Sequence, residues 1–522
     1  MAATRKLNQL QIEKANPRAV INVRSSKPNA MRKLIPIVLL VVAPVLVKGQ
    51  DVKSMLEKTA EAYGGKAWEK VNYIRMHHIG HQHWLEQSEN PEGPFITSYT
   101  DTEEIRSTKG LKLYQKTESK MGQSPEPNTL VYVQNDSLGY MAFGDRKMPS
   151  PYSYGEENIR WLTYGPEHLL TLARTSATRF DQKVDLEGVN HYQLSFTVAK
   201  TSYKIFINAS TFLISEAWID TYSPNEFFFS LWGKFTTRIQ YTLYALHKGN
   251  IVYPEQWDVY RAGHLWKKIS VNNIEFLEAT DESAFTVPDE IKKAPLNKRN
   301  VNGIKLPVDQ AIEVAKGIFV IPGNWFAGWA EQADGIVVIE APISSGYSVQ
   351  LMNEVKKRYP AKKIKGVVVS SDAWPHLAGV REYFAASIPV YTNKLNKPIL
   401  DRISVVDHSP APDHQQVKKA KPVYALVDKV VSLDDKNVPI QIIPVQGEGG
   451  ERMVAVYFPK QKVLYASDLV QQMRDKSFFF IEYLSEVKAV VDRHKLDVET
   501  VYAMHTRPVA WKDITAALDQ NK

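Results

Sequence analysis

The sequence has no cysteine among its 522 residues. This absence excludes disulfide bonds, thiolate metal ligands and cysteine nucleophiles. Any metal site must therefore use nitrogen and oxygen ligands. The chain is not poor in apolar residues, since 44% are hydrophobic and 11% aromatic, and it can form buried cores. Its length indicates two or more domains.

Net charge is also absent from most of the chain. The formal charge of the whole sequence is +8, but the first 49 residues carry nine basic side chains and one acidic one. The remainder has equal numbers of acidic and basic residues. A balanced chain does not attract polyanions, so we predict no nucleic-acid partner. Glycine patterns of phosphate and dinucleotide loops are absent too, because Gly447-Glu-Gly-Gly450 lacks the Lys-Ser/Thr that a phosphate loop needs.

No hydrophobic run is long enough to span a bilayer. The longest, Leu34 to Val47, has 14 residues, whereas a membrane helix needs about 20. Two basic residues precede the run and the small Gly49 follows it, which is the layout of a secretory signal peptide over residues 31–49. We therefore predict a bacterial protein that is periplasmic or secreted, with no membrane span in the mature chain. An uncleaved N-terminal anchor remains the alternative.

The first 30 residues are polar and without pattern. We interpret them as an upstream extension, with Met31 as the natural start. The mature chain then begins near Gln50, and we predict a two-domain α+β architecture for it.

Residues 50–291 are predicted to form a β-rich antiparallel domain. Alternating runs such as Tyr203–Ile207 and Thr237–Tyr241 are separated by turn residues at meander spacing. A first helix over Val52–Tyr63 and a closing Phe285–Asp289 resemble the half-barrel of lipoprotein-sorting proteins. Such a sheet can offer a concave face for a small-molecule or apolar ligand. Its many aromatic residues, Trp257 and Trp266 included, are either part of that face or ordinary core.

Residues 292–302 are charged and unpatterned, and we interpret them as a linker. From residue 303 to 522 short apolar strands alternate with helical segments such as Tyr347–Tyr359. This alternation is typical of a layered α/β domain.

Three polar clusters each follow an apolar strand in this second domain. They contain His376, Asp468 and His505. Because an α/β fold places chemistry at strand ends, these three side chains are expected to converge. Two imidazoles and one carboxylate make a three-ligand set for a divalent metal.

The order of motifs from residue 303 to 522 resembles the metallo-β-lactamase superfamily. Glu340-Ala-Pro342, Val367 to Val380, Val463 to Leu469 and His505-Thr-Arg-Pro508 stand in the family's order. The resemblance implies an αββα sandwich. It also implies hydrolysis of an ester, thioester, amide or phosphodiester, usually with two zinc ions.

The chain departs from the family at its metal ligands. Against the family motif H-x-H-x-D-H, the sequence has Ser371, Ala373 and Pro375 at three ligand positions and keeps only His376. A further family histidine falls near Gly449. The resemblance therefore leaves His376, Asp468 and His505 as candidate metal ligands, which can hold at most one zinc or other divalent ion.

Two functions remain open at this point. The first is an exported hydrolase-like protein that carries out at most mononuclear, metal-dependent hydrolysis of an ester, amide or phosphodiester. The second is an inactive pseudoenzyme that binds a ligand or partner through its β-rich N-terminal domain. Neither assigns catalytic or substrate-binding residues. A separate histidine run, His77 to His83, can also form a surface metal site, although solvated or sheet-packed histidines are the more common outcome of such a run.

Overall fold

The computed structural model describes residues 51–85, 95–121, 127–150, 160–221, 227–294, 300–323, 325–473 and 475–520. The predicted signal peptide, the upstream extension and the middle of the predicted linker lie outside these ranges. The segment from Gly49 to Lys522 forms one compact unit. In the described part of the chain no helix is long and apolar enough to cross a membrane.

Thirteen antiparallel strands form the first sheet. Its order is β6-β5-β4-β3-β2-β1-β13-β12-β11-β10-β9-β8-β7, so the first strand of the sheet pairs with its last strand, β13, at the middle of a meander. The strands are β1 Tyr73–His83, β2 Thr97–Ser107, β3 Lys112–Met121, β4 Asn128–Asn135, β5 Leu138–Phe143, β6 Arg146–Ser150, β7 Arg179–Leu186, β8 Val189–Val198, β9 Thr201–Asn208, β10 Ile214–Thr221, β11 Phe235–His247, β12 Ile251–Arg261 and β13 His264–Leu277.

One face of this sheet is covered by helices α1 (Val52–Ala62), α2 (Lys66–Glu69) and α3 (Pro166–Thr175). Trp257 is fully buried beneath them, in contact with Trp161 at 5.7 Å between ring centroids. Trp266 is also buried in the same core. Both tryptophans that the sequence associated with a ligand face or a core are therefore core residues.

A buried ion cluster fixes α3 to the sheet. Arg106 on β2 contacts Glu104 at 3.1 Å and Glu167 on α3 at 2.9 Å. Tyr253 on β12 donates a hydrogen bond to the second oxygen of Glu167 at 2.8 Å. Because a buried guanidinium needs carboxylate and carbonyl partners, this cluster specifies how the helix sits on the strands.

Two further sheets lie in the C-terminal half. The seven-stranded sheet has the order β14 to β20 and contains β14 Ile312–Ala315, β15 Ile318–Ile321, β16 Ala327–Glu331, β17 Ile336–Ile339, β18 Ile364–Val368, β19 Val390–Asn393 and β20 Tyr424–Val427. The six-stranded sheet contains β21 Val431–Leu433, β22 Ile440–Pro444, β23 Val454–Phe458, β24 Val463–Tyr465, β27 Thr500–Ala503 and β28 Thr506–Ala510. A small hairpin joins β25 Gln471–Gln472 to β26 Phe478–Phe479.

The remaining helices lie outside the two sheets or between the domains. They are α4 Phe227–Trp232, α5 Asp289–Lys293, α6 Ser345–Arg358, α7 Trp374–Leu377, α8 Arg381–Ala385, α9 Lys397–Val405, α10 His414–Lys418, α11 Ile481–His494 and α12 Trp511–Gln520. The buried face of α6 follows helical spacing, with Tyr347, Leu351 and Val355 turned to the sheet. Its N-terminus is capped by the Ser344 side chain, which accepts from the Tyr347 N–H.

Strand alternation shows how these layers stack. On β17, Val337 and Ile339 pack between the two sheets, whereas Ile336 and Val338 pack against the helices outside. The six-stranded sheet behaves likewise, since its outer face packs against α11 and α12. Because successive strand residues point to opposite faces, each sheet buries both of its faces. The layers therefore run helix, sheet, sheet, helix.

Helix α4 joins the first sheet to the layered half. The Phe229 ring stacks on His408 at 4.5 Å, and the Arg402 guanidinium lies 3.7 Å from the centroid of the Trp232 ring. The Lys234 N–H donates to the carbonyl of Asp407 at 2.7 Å. One hydrophobic core runs from the thirteen-stranded sheet through α4 to the helices around α7.

Candidate functional site

The candidate site lies where strands of the two stacked sheets end. Glu340 follows β17, Ser370 follows β18 by two residues, Asp468 follows β24, and His505 follows β27. Strands β17 and β18 run parallel, as do β24 and β27. Parallel strands bring their carboxyl ends to the same edge, so the four loops meet.

The three side chains predicted to converge do come together. The His376 Nε2 atom lies 2.7 Å from Asp468 Oδ2, and the His505 Nε2 atom lies 3.4 Å from Asp468 Oδ1. His376 is fully buried on α7, while 31% of the His505 side chain is exposed. Asp468 thus lies between a buried histidine and a partly open one.

Behind His376 the structure has a second carboxylate that the sequence marked only as a family strand end. Glu340 Oε2 lies 3.2 Å from His376 Nδ1. The other Glu340 oxygen accepts hydrogen bonds from Tyr465 Oη at 2.7 Å and from the Ser370 hydroxyl. The partnership of Glu340 with His376 is set by tertiary packing, and no local pattern signals it.

The backbone around these residues is unusual. Glu340, Ile343 and Ser467 have positive φ angles of 75°, 70° and 52° without being glycine. Such conformations cost energy and persist only where the surroundings hold them. Here the Glu340 N–H donates to Val368 and the Ala341 N–H donates to the His376 carbonyl, at 2.8 and 3.0 Å. The strained loops are therefore tied to both β18 and α7.

The charges around His376 and Asp468 determine their protonation states. Burial alone lowers the pKa of His376, but the adjacent Asp468 and Glu340 carboxylates outweigh it and raise the pKa to about 10. Burial raises the pKa of Asp468, but His376 and then His505 bring it below its ordinary value. His376 is consequently an imidazolium at neutral pH, with its Nε2 atom hydrogen-bonded to Asp468 Oδ2 at 2.7 Å and its Nδ1 atom hydrogen-bonded to the Ser370 hydroxyl at 3.2 Å.

The geometry of these residues does not fit a shared metal ion. Two ligands of one tetrahedral zinc, each about 2.0–2.1 Å from it, lie about 3.3 Å apart. The His376–Asp468 contact of 2.7 Å is shorter than this. In the described ranges no group of three or more His, Asp or Glu side chains is placed to hold a metal ion.

Neither the residues at the three lost ligand positions nor the neighbouring Asp372 supplies a replacement metal ligand. Ser371, Ala373 and Pro375 supply no imidazole or carboxylate. Asp372 is buried, and its nearest charged partner is Arg452, with 3.9 Å between Oδ2 and Nε. Burial raises the pKa of Asp372 to about 8 despite that arginine. The predicted single zinc therefore does not fit the residues as the structure places them.

The histidine run on β1 is not a metal site either. His77 Nε2 contacts Asp101 Oδ1 at 2.7 Å, and His83 Nδ1 contacts the Thr97 hydroxyl at 2.9 Å. The His81 ring packs edge-on against Tyr99. His78 faces the other side of the sheet, 3.7 Å from Glu104, so each of the four histidines has a different partner, in keeping with the sheet-packed interpretation.

No protein-family model matches the chain, and no curated protein matches it. Solved structures resemble part of it. A metallo-beta-lactamase from Pontibacter korlensis is 13% identical, with 41% of this chain and 99% of that one covered and a TM-score of 0.32. DIM-1 metallo-beta-lactamase is 15% identical over 40% and 94% of the two chains, with a TM-score of 0.32.

The sec-alkylsulfatase Pisa1 from Pseudomonas sp. is 14% identical, with 40% of each chain covered and a TM-score of 0.31. Identities and TM-scores this low assign no activity to this chain. The layering of helix, sheet, sheet and helix rests on the packing described above.

Proposed function

We propose that residues 303–522 form a metallo-β-lactamase-like domain that has lost its metal centre, and that the protein acts by binding rather than by hydrolysis. We further propose that it is exported by the signal peptide at residues 31–49. The observation that carries the proposal of lost catalysis is the direct contact of His376 with Asp468, because the 2.7 Å between Nε2 and Oδ2 is shorter than two ligands of one zinc allow. The other ring nitrogen of His376 faces Glu340 at 3.2 Å.

The physical argument concerns the nucleophile. Metal-dependent hydrolysis needs a water whose pKa is lowered to about 7 by the ion. Here the Nε2 atom of His376, which would have to bind the metal together with Asp468, is itself in contact with Asp468 Oδ2 at 2.7 Å. The ion pair instead connects Glu340 of the seven-stranded sheet to Asp468 of the six-stranded sheet. This supports a structural role in holding the two sheets at their strand ends.

A mononuclear hydrolase is the second candidate, and one observation favours it. The His505 side chain is 31% exposed, and the Asp468 Oδ1 atom that faces it accepts no hydrogen bond from a described residue. A metal could enter from that side if His376 gave up its contact with Asp468.

Metal analysis of the full-length chain, purified without chelator, separates the two candidates. We expect less than about 0.1 equivalent of zinc, iron or manganese, and no rise in melting temperature on adding zinc, because a metal that binds only the folded state would stabilise it. A screen of ester, phosphodiester and lactam substrates should show no turnover that Asp468→Ala removes.

The control variant is Asp497→Ala, which removes an exposed acid paired at 3.0 Å with Lys462, at the end of β24 opposite Asp468. About one equivalent of metal that is lost in both Asp468→Ala and His505→Ala, but kept in Asp497→Ala, would overturn the proposal in favour of the hydrolase.

A further inference from the structure

The thirteen-stranded sheet has a groove on the face opposite its core. The groove has a volume of about 530 Å³ and lies across β13, β1, β2 and β3, the strands at the middle of the sheet. Its lining includes Ile79, His81, Tyr99, Glu118, Lys120 and Lys268. A volume of this size matches that of pockets for small ligands.

Two apolar side chains form an exposed platform in this groove. Tyr99 is 58% exposed and Ile79 is 45% exposed, although both lie on central strands. The His81 ring packs against Tyr99 edge-on, with 4.9 Å between centroids and 84° between planes. An aromatic ring that a neighbour already holds loses little entropy when a ligand stacks on it.

The backbone shapes the groove as well. A Cβ at Gly80 would lie 2.3 Å from the Lys268 carbonyl oxygen, so β1 and β13 approach too closely for any side chain there. The register of this pair also shifts between His77 and His78. A bulge of this kind bends the sheet locally.

Charges around the platform are of both signs and cancel. Asp101 is engaged by His77 at 2.7 Å and Lys268 by Asp258 at 3.6 Å. Glu118 and Lys120 are exposed, and neither forms an ion pair with another residue in the described ranges. A strongly charged ligand would meet as much repulsion as attraction. A neutral ligand with many hydroxyls would find both an acceptor and a donor beside an aromatic face.

We propose that this groove binds carbohydrate, with a pyranose ring stacked on Tyr99 and its hydroxyls bonded to Glu118 and Lys120. The inference rests on the proposed binding function and specifies its ligand class. The groove lies on the face of the sheet opposite the buried core, and His376 and Asp468 are not part of its lining.

The test applies the full-length chain to an array of bacterial, plant and animal glycans, followed by calorimetry with cellohexaose, maltohexaose and chitohexaose. We expect at least one glycan to bind and Tyr99→Ala to weaken that binding at least about tenfold, since it removes the stacking ring. Tyr114→Ala is the matched control, because Tyr114 lies on neighbouring β3 outside the groove lining. It should bind as the unaltered chain does.

Absence of any glycan binding, or binding that Tyr99→Ala leaves unchanged, overturns the inference. An apolar probe, 1-anilinonaphthalene-8-sulfonate, that responds to Tyr99→Ala while no glycan does also overturns it, in favour of an apolar ligand. The outcomes are separable from the proposed loss of catalysis. Metal-dependent turnover together with Tyr99-dependent glycan binding would reject the proposed loss of catalysis and support the glycan site. Absence of both turnover and glycan binding would reject the glycan site alone.

Discussion

At the residue scale, His168 links the stability of the first sheet to pH. It is buried beside the Arg106 cluster, with Nε2 at 3.3 Å from the Gly110 carbonyl oxygen. Burial, and to a smaller extent the Arg106 charge, lower the pKa of His168 to about 3. The unfolded chain takes up a proton on this residue below about pH 6.5, whereas the folded chain does not. Stability is therefore lost as the pH falls from 6.5 towards 3.

We expect this residue to lower the free energy of unfolding by about 2 kcal/mol between pH 7 and pH 5. In His168→Gln that loss should disappear, so the stability curve of the variant should be flatter over this range. Urea denaturation at half-unit pH steps, followed by tryptophan fluorescence, measures the difference. Parallel curves for the two proteins would show that His168 does not resist protonation in the fold.

Single residues also show where sequence reasoning succeeds and stops. The convergence of His376, Asp468 and His505 could be predicted because each follows an apolar strand, and strand ends meet in a layered fold. The engagement of His376 by Glu340 could not, since these residues are 36 positions apart and their contact depends on how α7 packs behind β17. Ligand substitutions are visible in a sequence, but what fills the vacated space is decided by packing.

At the element scale, α4 is the contact between the first sheet and the layered half. Gly233 ends it with a φ of +60°, and a Cβ there would lie 2.5 Å from the Asp407 carbonyl oxygen. We expect Gly233→Ala to reduce the free energy of unfolding by about 2–4 kcal/mol, from backbone strain together with displacement of the Asp407 loop. Chemical denaturation measures the loss.

Gly144→Ala provides the matched control for this element. Gly144 has a φ of +53°, but a Cβ there would meet nothing within 4 Å. The two substitutions share the left-handed strain, about 1–2 kcal/mol, and differ only in the steric contact. Equal losses in the two variants would mean that the α4 contact tolerates displacement without cost.

The strands could be predicted from the sequence better than the packing of helices on the first sheet. Alternating runs in residues 70–290 predicted antiparallel strands, and the short apolar runs beyond 303 predicted strands buried on both faces. The covering of the first sheet by α1 and α3 was not predicted, because a buried ion cluster that joins Arg106 to Glu167 across 61 positions is invisible to local patterns. The aromatic residues on the strands became core for that reason.

At the scale of the whole molecule, the hydrophobic core does not stop at the predicted linker. It continues from the strands around Trp257 through Trp232 on α4 to Trp374 on α7, next to His376. Removing the first sheet would expose the apolar surface that α4 covers, at about 25 cal/mol for each Å² returned to water. The strained loops at Glu340 and Ile343 lie against that surface, where the Ser230 hydroxyl contacts the Ile343 carbonyl at 3.5 Å.

We therefore expect residues 51–520 to unfold in one cooperative transition by calorimetry. A chain limited to residues 303–522 should bind 1-anilinonaphthalene-8-sulfonate and unfold at a lower denaturant concentration than the full-length protein. The Gly233→Ala variant should move in the same direction by a smaller amount, because it loosens the contact without removing it. Two separate transitions, one of them matching the midpoint of the shortened chain, would show that the layered half folds alone and that its strand-end ion pair needs no support from the first sheet.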